Sequence, residues 1–409
     1  MNVEELVRDA LREQAAAQTP ARPGFADRVL AFRRRRRTRR IVAVTAAVVA
    51  VVVTVPMLES GDSGRTDVRP ADVVRQNGIS AHPDQSPPRD LIAAGDTALA
   101  AYYTAKVRPR SGSQGAFVRT YWLLDPKTGT YEKDPRWSFV AVAPGLKTAA
   151  VLEQSLPARR IGLLDLATGE VERWIPVGHG VGGLAFSYDG SRLVATTYDE
   201  DPDLRTRVKS ADGGGEAWMS AYGDSSRSGF YDLDVASGKG SWSPVAPDRD
   251  INARQDFSFS RTGDLVYAQV IGGRDGMQQF YDLKGDKTAA PANEKYLRSD
   301  VGARLSPNGR LAALGLTKEV AGSPGKSYSS IRDPRTGKEI TKVRGDRLLA
   351  WVDDKRLIGW ERVTSLEEAY RPQLVLVTIG SDKVVPLSGV REQDRNLDRQ
   401  GWEPVFARR

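Results

Sequence analysis

Residues 41–58 read IVAVTAAVVAVVVTVPML, an uncharged stretch directly behind seven arginines, Arg33 to Arg37, Arg39 and Arg40. This stretch decides which parts of the chain can share a folded domain. At a helical rise of about 1.5 Å per residue it spans roughly 27 Å, close to the hydrocarbon thickness of a bilayer. Valine is a modest helix former in water, but lipid obliges every backbone amide to bond within its own segment. The arginines stay on the cytoplasmic side by the positive-inside rule, and the other flank, Glu59 to Gly64, carries only acidic charge. The expectation is a single-pass cell-membrane protein: a cytoplasmic Arg-rich segment at 1–40, a transmembrane helix in the lipid bilayer from Ile41 to Leu58, and an extracytoplasmic remainder. A cleaved signal peptide is the rival reading. Its apolar core is usually about 7–15 residues and a small-x-small cleavage site follows, whereas no Ala-x-Ala follows Leu58. A buried core helix would have to cover seven flanking arginines.

The charge divides at the same place. Of a net charge of +8, residues 1–40 supply +6 and the part beyond the apolar stretch only +2. The basic character is thus a topology signal at an anionic leaflet, and no nucleic-acid partner is expected. The chain has no cysteine, which excludes disulfides, thiolate metal sites and a cysteine nucleophile. Its two histidines, His82 and His179, leave no basis for a multi-histidine metal site.

Within the leader, Val3, Leu6, Val7, Ala10 and Leu11 fall at helical spacing, and Phe25, Val29, Leu30 and Phe32 form a second amphipathic stretch after a break at Pro20, Pro23 and Gly24. This pattern resembles the leaders of bacterial single-pass proteins, some of them anti-sigma-factor-like. It lacks the His and two Cys of the zinc-binding anti-sigma domains. Residues 59–90, rich in Gly, Ser, Asp and Pro, read as an extracytoplasmic linker.

From residue 91 to 409 the chain repeats itself. One half-unit is an apolar strand, a polar turn and a second apolar strand: LAFSYDGSRLVATTYD at 184–199, FSFSRTGDLVYAQVI at 257–271 and ARLSPNGRLAALGL at 303–316. Divergent copies lie at 91–105, 138–153 and 348–362. The other half-unit is a hairpin around Asp-x-x-(Thr/Ser)-Gly, as in YWLLDPKTGTYEK at 121–133, IGLLDLATGEVERW at 162–174, FYDLDVASGKGSW at 230–242 and SSIRDPRTGKEITKV at 329–343. In such turns the Asp side chain bonds the turn backbone and Gly takes the left-handed position. Two hairpins per unit make four strands, and most units recur every 44–50 residues. Strand count and period predict an all-β fold, a β-propeller of about six four-stranded blades. The tail around Trp402 is either a strand that closes the ring or the remnant of a seventh blade. A polar insertion around 200–228 interrupts the period.

These units resemble degenerate WD-type repeats and TolB-type propeller blades. Gly178 and His179, the strand pair around Asp189 and Gly190, and Asp199 are similar to the Gly-His pair, inner strands and turn Asp of a WD repeat. The resemblance implies structural roles for His179 and Asp199. Trp174 and Trp242 stand near the place of the Trp-Asp pair without the Asp.

Candidate chemistry is sparse. No nucleophile elbow or phosphate loop is present, so no catalytic residue and no cofactor is assigned. Asp199, Asp201 and Asp203 are the candidate metal ligands, for calcium, at a spacing that matches no EF-hand loop. Trp218, Met219 and Tyr222 form a candidate contact patch in the insertion, unless they fold back on the propeller. The functional expectation is a non-enzymatic binding, scaffold or sensor domain whose partner is a protein or envelope ligand on the propeller face. The alternatives are a carboxylate-based hydrolase or lyase acting on an envelope polymer, and a transmembrane regulator working through the leader. Convergent acids, arginines and tyrosines with perturbed acidity would mark the enzyme.

Overall fold

The computed structural model describes residues 78–209, 216–220, 226–245, 254–270, 276–392 and 399–409. The expected cytoplasmic segment, the transmembrane helix at 41–58 and most of the linker lie outside the described residues. Among the described residues there is no helix, hence none long and apolar enough to cross a membrane.

The strands follow one another as antiparallel meanders. After the short β1 (Ile79–Ser80) and β2 (Ala93–Ala94) come β3 (Thr97–Pro109), β4 (Gln114–Asp125) and β5 (Thr130–Asp134). The second meander is β6 (Trp137–Val142), β7 (Thr148–Glu153), β8 (Ala158–Asp165) and the first half of β9 (Glu170–Phe186). The second half of β9 opens the third, with β10 (Arg192–Tyr198), so that β9 is shared by two meanders within one seven-stranded sheet. The insertion contributes β11 (Leu204–Lys209) and β12 (Glu216–Met219), after which β13 (Arg227–Asp234) and β14 (Gly240–Pro244) complete the third meander. The fourth is β15 (Ser258–Phe259), β16 (Val266–Gln269), β17 (Gln278–Tyr281) and β18 (Lys287–Thr288). The fifth is β19 (Ala312–Val320), β20 (Lys326–Arg332) and β21 (Glu339–Arg344), led by an isolated bridge from Leu305 to Ala312. The sixth is β22 (Arg347–Trp351), β23 (Arg356–Arg362), β24 (Pro372–Thr378) and β25 (Val384–Val390), and β26 (Arg399–Arg408) ends the chain.

Local chemistry explains the turns. Asp165 accepts bonds from the backbone N–H groups of Ala167 and Thr168 at 2.7 and 2.8 Å, and Gly169 closes the hairpin at φ +69°. Asp333 does the same for Arg335 and Thr336, with Gly337 at φ +71°. In the other half-unit Ser306 bonds Asn308 at 2.9 Å and Gly309 takes φ +71°. The strands between are short apolar runs: β7, TAAVLE, is buried at its four central residues, as expected of strands covered on both faces.

Three contacts join successive meanders. The Ala303 N–H donates to Leu348 O at 3.2 Å, the Thr97 hydroxyl to Trp351 O at 2.7 Å, and the Gly145 N–H to Arg408 O at 2.8 Å. The last meander thereby meets the first, and the architecture is a β-propeller. The tail is the closing strand: β26 pairs antiparallel with β3 from Arg399↔Lys106 to Arg408↔Thr97. The first meander therefore takes its leading strand from the far end of the chain, where the repeat pattern placed it at 91–94. That segment forms the two-residue β2, which pairs antiparallel with β3 across the turn at Gly95, as the pattern predicts, and also with β1.

The packed unit also begins before residue 91. His82 bridges Ser388, the Gln85 side chain donates to Asp90, and the Trp402 indole donates to Ser86 Oγ at 3.0 Å. Residues 79–90 are pinned to the propeller rather than forming free linker, because these polar bonds and the β1–β2 pairing hold them there. The largest core joins the first, second and last meanders through Leu99, Tyr102, Tyr121, Trp137, Trp360 and Trp402.

Candidate functional site

A cavity of about 730 Å³ lies among the leading strands. Its wall is largely apolar, with Val142, Leu184, Phe186, Phe259, Leu305 and Leu349 among its lining residues. The polar side chains fall into two groups. Arg254 and Asp256 belong to one group and Arg261 to the other. Arg254 and Arg261 lie seven positions apart, on either side of β15.

The insertion supplies an acid to the first group. After β10 the chain leaves its own meander, and β11 pairs with the protruding end of β4 at Leu204↔Ala116. This route carries Asp203 to a site where it is 2% exposed, between two arginines. Arg119 donates to both its oxygens at 2.6 and 3.2 Å, and Arg254 does the same at 2.7 and 2.8 Å. Burial pushes the Asp203 carboxyl up, but the charges of Arg254 and Arg119 outweigh it and hold the group well below the usual carboxylate range. Arg254 also reaches Asp256 at 3.0 Å, and Asp256 accepts the Tyr198 hydroxyl at 2.8 Å. Burial raises the phenols of Tyr103, Tyr121 and Tyr198, against the opposing charge of nearby arginines.

The second group is built differently. Arg304 pairs with Glu294 at 2.9 Å, donates to Gln278 at 3.0 Å and lies 3.9 Å above the Tyr267 ring. The other Glu294 oxygen accepts the backbone N–H of Arg261 at 2.8 Å. Two further guanidinium groups converge on Tyr188: Arg261 at 3.2 Å and Arg408 at 3.7 Å from the ring centroid. Arg261 donates to Pro307 O at 2.5 Å and Arg408 to Tyr188 O. Tyr188, Arg261 and Arg408 are half-buried, in contrast to the fully buried Arg119 and Asp203.

The carboxylates at this cavity are thus bound to arginine, and neither histidine lines it. Carboxyls that burial raises lie elsewhere. Glu361, 2% exposed, is pushed up by burial against the pull of Arg344 at 2.6 Å, and Asp346 is pushed up likewise beside Tyr370. Neither lines the cavity.

The sequence-derived candidates are dispersed. Asp199 is exposed, Asp201 pairs with Arg110 at 2.7 Å, and Asp203 holds Arg119 and Arg254. Among the described residues no group of acidic and histidine side chains is arranged to hold a metal ion. Trp218 is half-buried: its ring lies 2.9 Å from where a Cβ on Gly115 would sit, and Arg207 stacks on it at 4.7 Å. Met219 is 43% exposed, and Tyr222 lies outside the described residues. His179 stacks on Trp242 at 3.7 Å, and the Tyr231 hydroxyl accepts the N–H groups of Gly178 and His179. The arginines of the cavity went unrecognised in the sequence. Their only local signal is that Arg254, Arg261, Arg304 and Arg408 flank or interrupt the leading strands of their units.

The chain matches no protein-family model and no curated protein. Among solved structures it is similar to TolB from Acinetobacter baumannii, at 17% identity over 77% of this chain and 68% of that one, with a TM-score of 0.37. It is also similar to the hydrazine synthase of Kuenenia stuttgartiensis, at 14% identity over 62% of this chain and 66% of that one, with a TM-score of 0.34.

Proposed function

We propose that this chain is a single-pass membrane protein presenting an extracytoplasmic propeller of six four-stranded blades as a non-enzymatic binding or sensor domain. The six-blade count supposes that β26 is the leading strand of the first blade and the segment around Leu305 that of the fifth. The anchor and its orientation rest on the apolar stretch behind the arginine cluster.

The observation that carries the binding reading is the state of the cavity's carboxylates. Polymer hydrolysis needs one carboxyl poised to give a proton and another free to act as base or nucleophile. Here Asp256 and Glu294 are engaged by Arg254 and Arg304, and the neighbouring Asp203 is held ionised between two arginines. The convergence of acids, arginines and tyrosines, with the phenols of Tyr103 and Tyr121 raised, meets the criterion set for an enzyme, but it leaves no free acid–base pair among the carboxylates.

Crosslinking intact cells through a photoreactive residue at position 219 and identifying the adduct tests this reading. The expected result is a discrete envelope adduct on a chain extracted only by detergent. Release of soluble fragments from purified envelope polymer by the full-length protein, abolished in Asp256→Asn or Glu294→Gln, would overturn it.

A further inference from the structure

We infer that the ribbon formed by the ends of β3 and β4 with β11 and β12 docks on a bilayer surface that carries anionic lipid, its cations meeting headgroups and Val208 and Met219 entering the interface. This goes beyond the binding-domain reading and rests on it only for the presence of a bilayer beside the propeller.

The register of the strands decides which side chains share a face. β3 pairs with β4 at Arg108↔Ala116, β4 with β11 at Ala116↔Leu204 and Gln114↔Thr206, and β11 with β12 at Thr206↔Met219 and Val208↔Ala217. Residues opposite one another in antiparallel strands lie on one face, as do alternate residues of a single strand. One face of the ribbon therefore holds Lys106, Arg108, Thr206, Val208, Ala217 and Met219. The other face is occupied by Trp218, which packs over Gly115 and carries Arg207 on its ring.

Exposure and charge on the first face point to a lipid surface. Val208 and Met219 are 39% and 43% exposed although apolar, and they stand on the two outer strands. Lys106 and Arg108 are exposed on the strand at the other side, and among the described residues neither they nor Lys209 makes an ion pair. The acids of the ribbon are already engaged: Asp201 holds Arg110 at 2.7 Å and Glu216 holds Arg207 at 3.5 Å. The exposed Asp199 and Glu200 precede the ribbon, where the Asp199 N–H donates to Ser226 O beside β13. Apolar groups beside uncompensated cations on one face are what an interfacial membrane contact requires. Each such cation near an anionic surface adds to the attraction.

The length of the chain allows the contact. Gly78 sits at the Thr97 end of β3, since its carbonyl accepts Arg409 at 2.8 Å and Arg408 pairs with Thr97. The ribbon lies at the other end of β3, thirteen residues or about 40 Å away. The nineteen residues 59–77 between the apolar stretch and Gly78 reach up to roughly 60 Å when extended. That exceeds the length of β3, so the ribbon can meet the same bilayer that the apolar stretch enters.

The chain has no cysteine, so Met219→Cys gives a single position for an environment-sensitive fluorophore. The labelled full-length chain is reconstituted in vesicles of phosphatidylcholine alone, and of phosphatidylcholine and phosphatidylglycerol in equal parts. A blue shift of the label is expected in the mixed vesicles only, reversed by high salt. Lys106→Gln/Arg108→Gln/Lys209→Gln should lower the ratio of docked to undocked chain on the order of a hundredfold. Equal emission in both kinds of vesicle, or a shift that the triple variant retains in full, would overturn the proposal. A protein adduct at position 219 in cells, with no response to the mixed vesicles, would overturn it in favour of a protein partner. Should the triple variant fail to fold, the lipid and salt comparison on the labelled parent still decides. Flotation separates the two readings: a chain that phosphatidylcholine vesicles do not retain lacks the anchor, whereas a retained chain with an unresponsive label lacks only the docking face.

Discussion

At the scale of single residues the decisive side chain is Asp203. Read in sequence, it is one of three aspartates opening a polar loop, with the look of a solvated acidic cluster or a calcium loop. In the fold it is the shared counter-ion of Arg119 and Arg254, which come from positions 84 and 51 residues away. Removing its charge leaves two arginines facing each other with no carboxylate between them. Asp203→Asn should destabilise the full-length chain by about 3–5 kcal/mol, read from the shift in its thermal midpoint. The pH dependence has a definite sign. A carboxyl whose folded pKa is depressed contributes its full stability above the unfolded value of about 3.9 and loses it as pH falls through the folded value. The unaltered chain should therefore lose stability progressively below about pH 4, and Asp203→Asn should show a flatter acid limb. An acid limb of equal slope in both proteins would show that Asp203 carries no such linkage.

At the scale of the element, the Asp-x-x-(Thr/Ser)-Gly hairpins were readable because their chemistry is complete within five residues. Asp165 bonds the backbone two and three positions ahead, and Gly169 supplies the positive φ that an L side chain resists. A Cβ at Gly169 would meet nothing within 4 Å, so Gly169→Ala isolates backbone strain from packing. It should lower stability by about 1 kcal/mol, measured as a shifted denaturation midpoint with unchanged slope. An unchanged midpoint would mean that the turn relaxes to another type. The insertion was legible as an interruption but not as a structure. Its strand β11 finds its partner in β4, on a different meander, and nothing in residues 204–209 encodes that choice locally.

For the whole molecule, closure rests on β26. Trp402 is buried against Trp360 and Tyr102, with ring centroids at 5.0 and 5.8 Å, and its indole nitrogen bonds Ser86 across 316 positions of sequence. A repeat array without such a clasp would expose the edge of its first sheet, and unpaired edges are where sheets fray and aggregate. Trp402→Ala should cost about 3–5 kcal/mol, the range for deleting a buried aromatic. Because that core joins the first and last meanders, intrinsic fluorescence and far-ultraviolet dichroism should both shift to the same lower melting point. Two separate transitions would show instead that the meanders unfold independently of their closure.

The sequence by itself determined the β class, the four-strand period, the turns and the uneven distribution of charge. Each of these follows from chemistry among residues a few positions apart, or from composition summed along a segment. Tertiary structure alone decided which strand opens the first meander, where the insertion pairs, and which arginines meet which acids. Those outcomes depend on groups brought together from distant parts of the chain, as when Arg408 reaches Tyr188 across 220 positions. The cavity belongs to this second class, since its arginines are ordinary polar residues in sequence and line one wall only when the meanders are brought together.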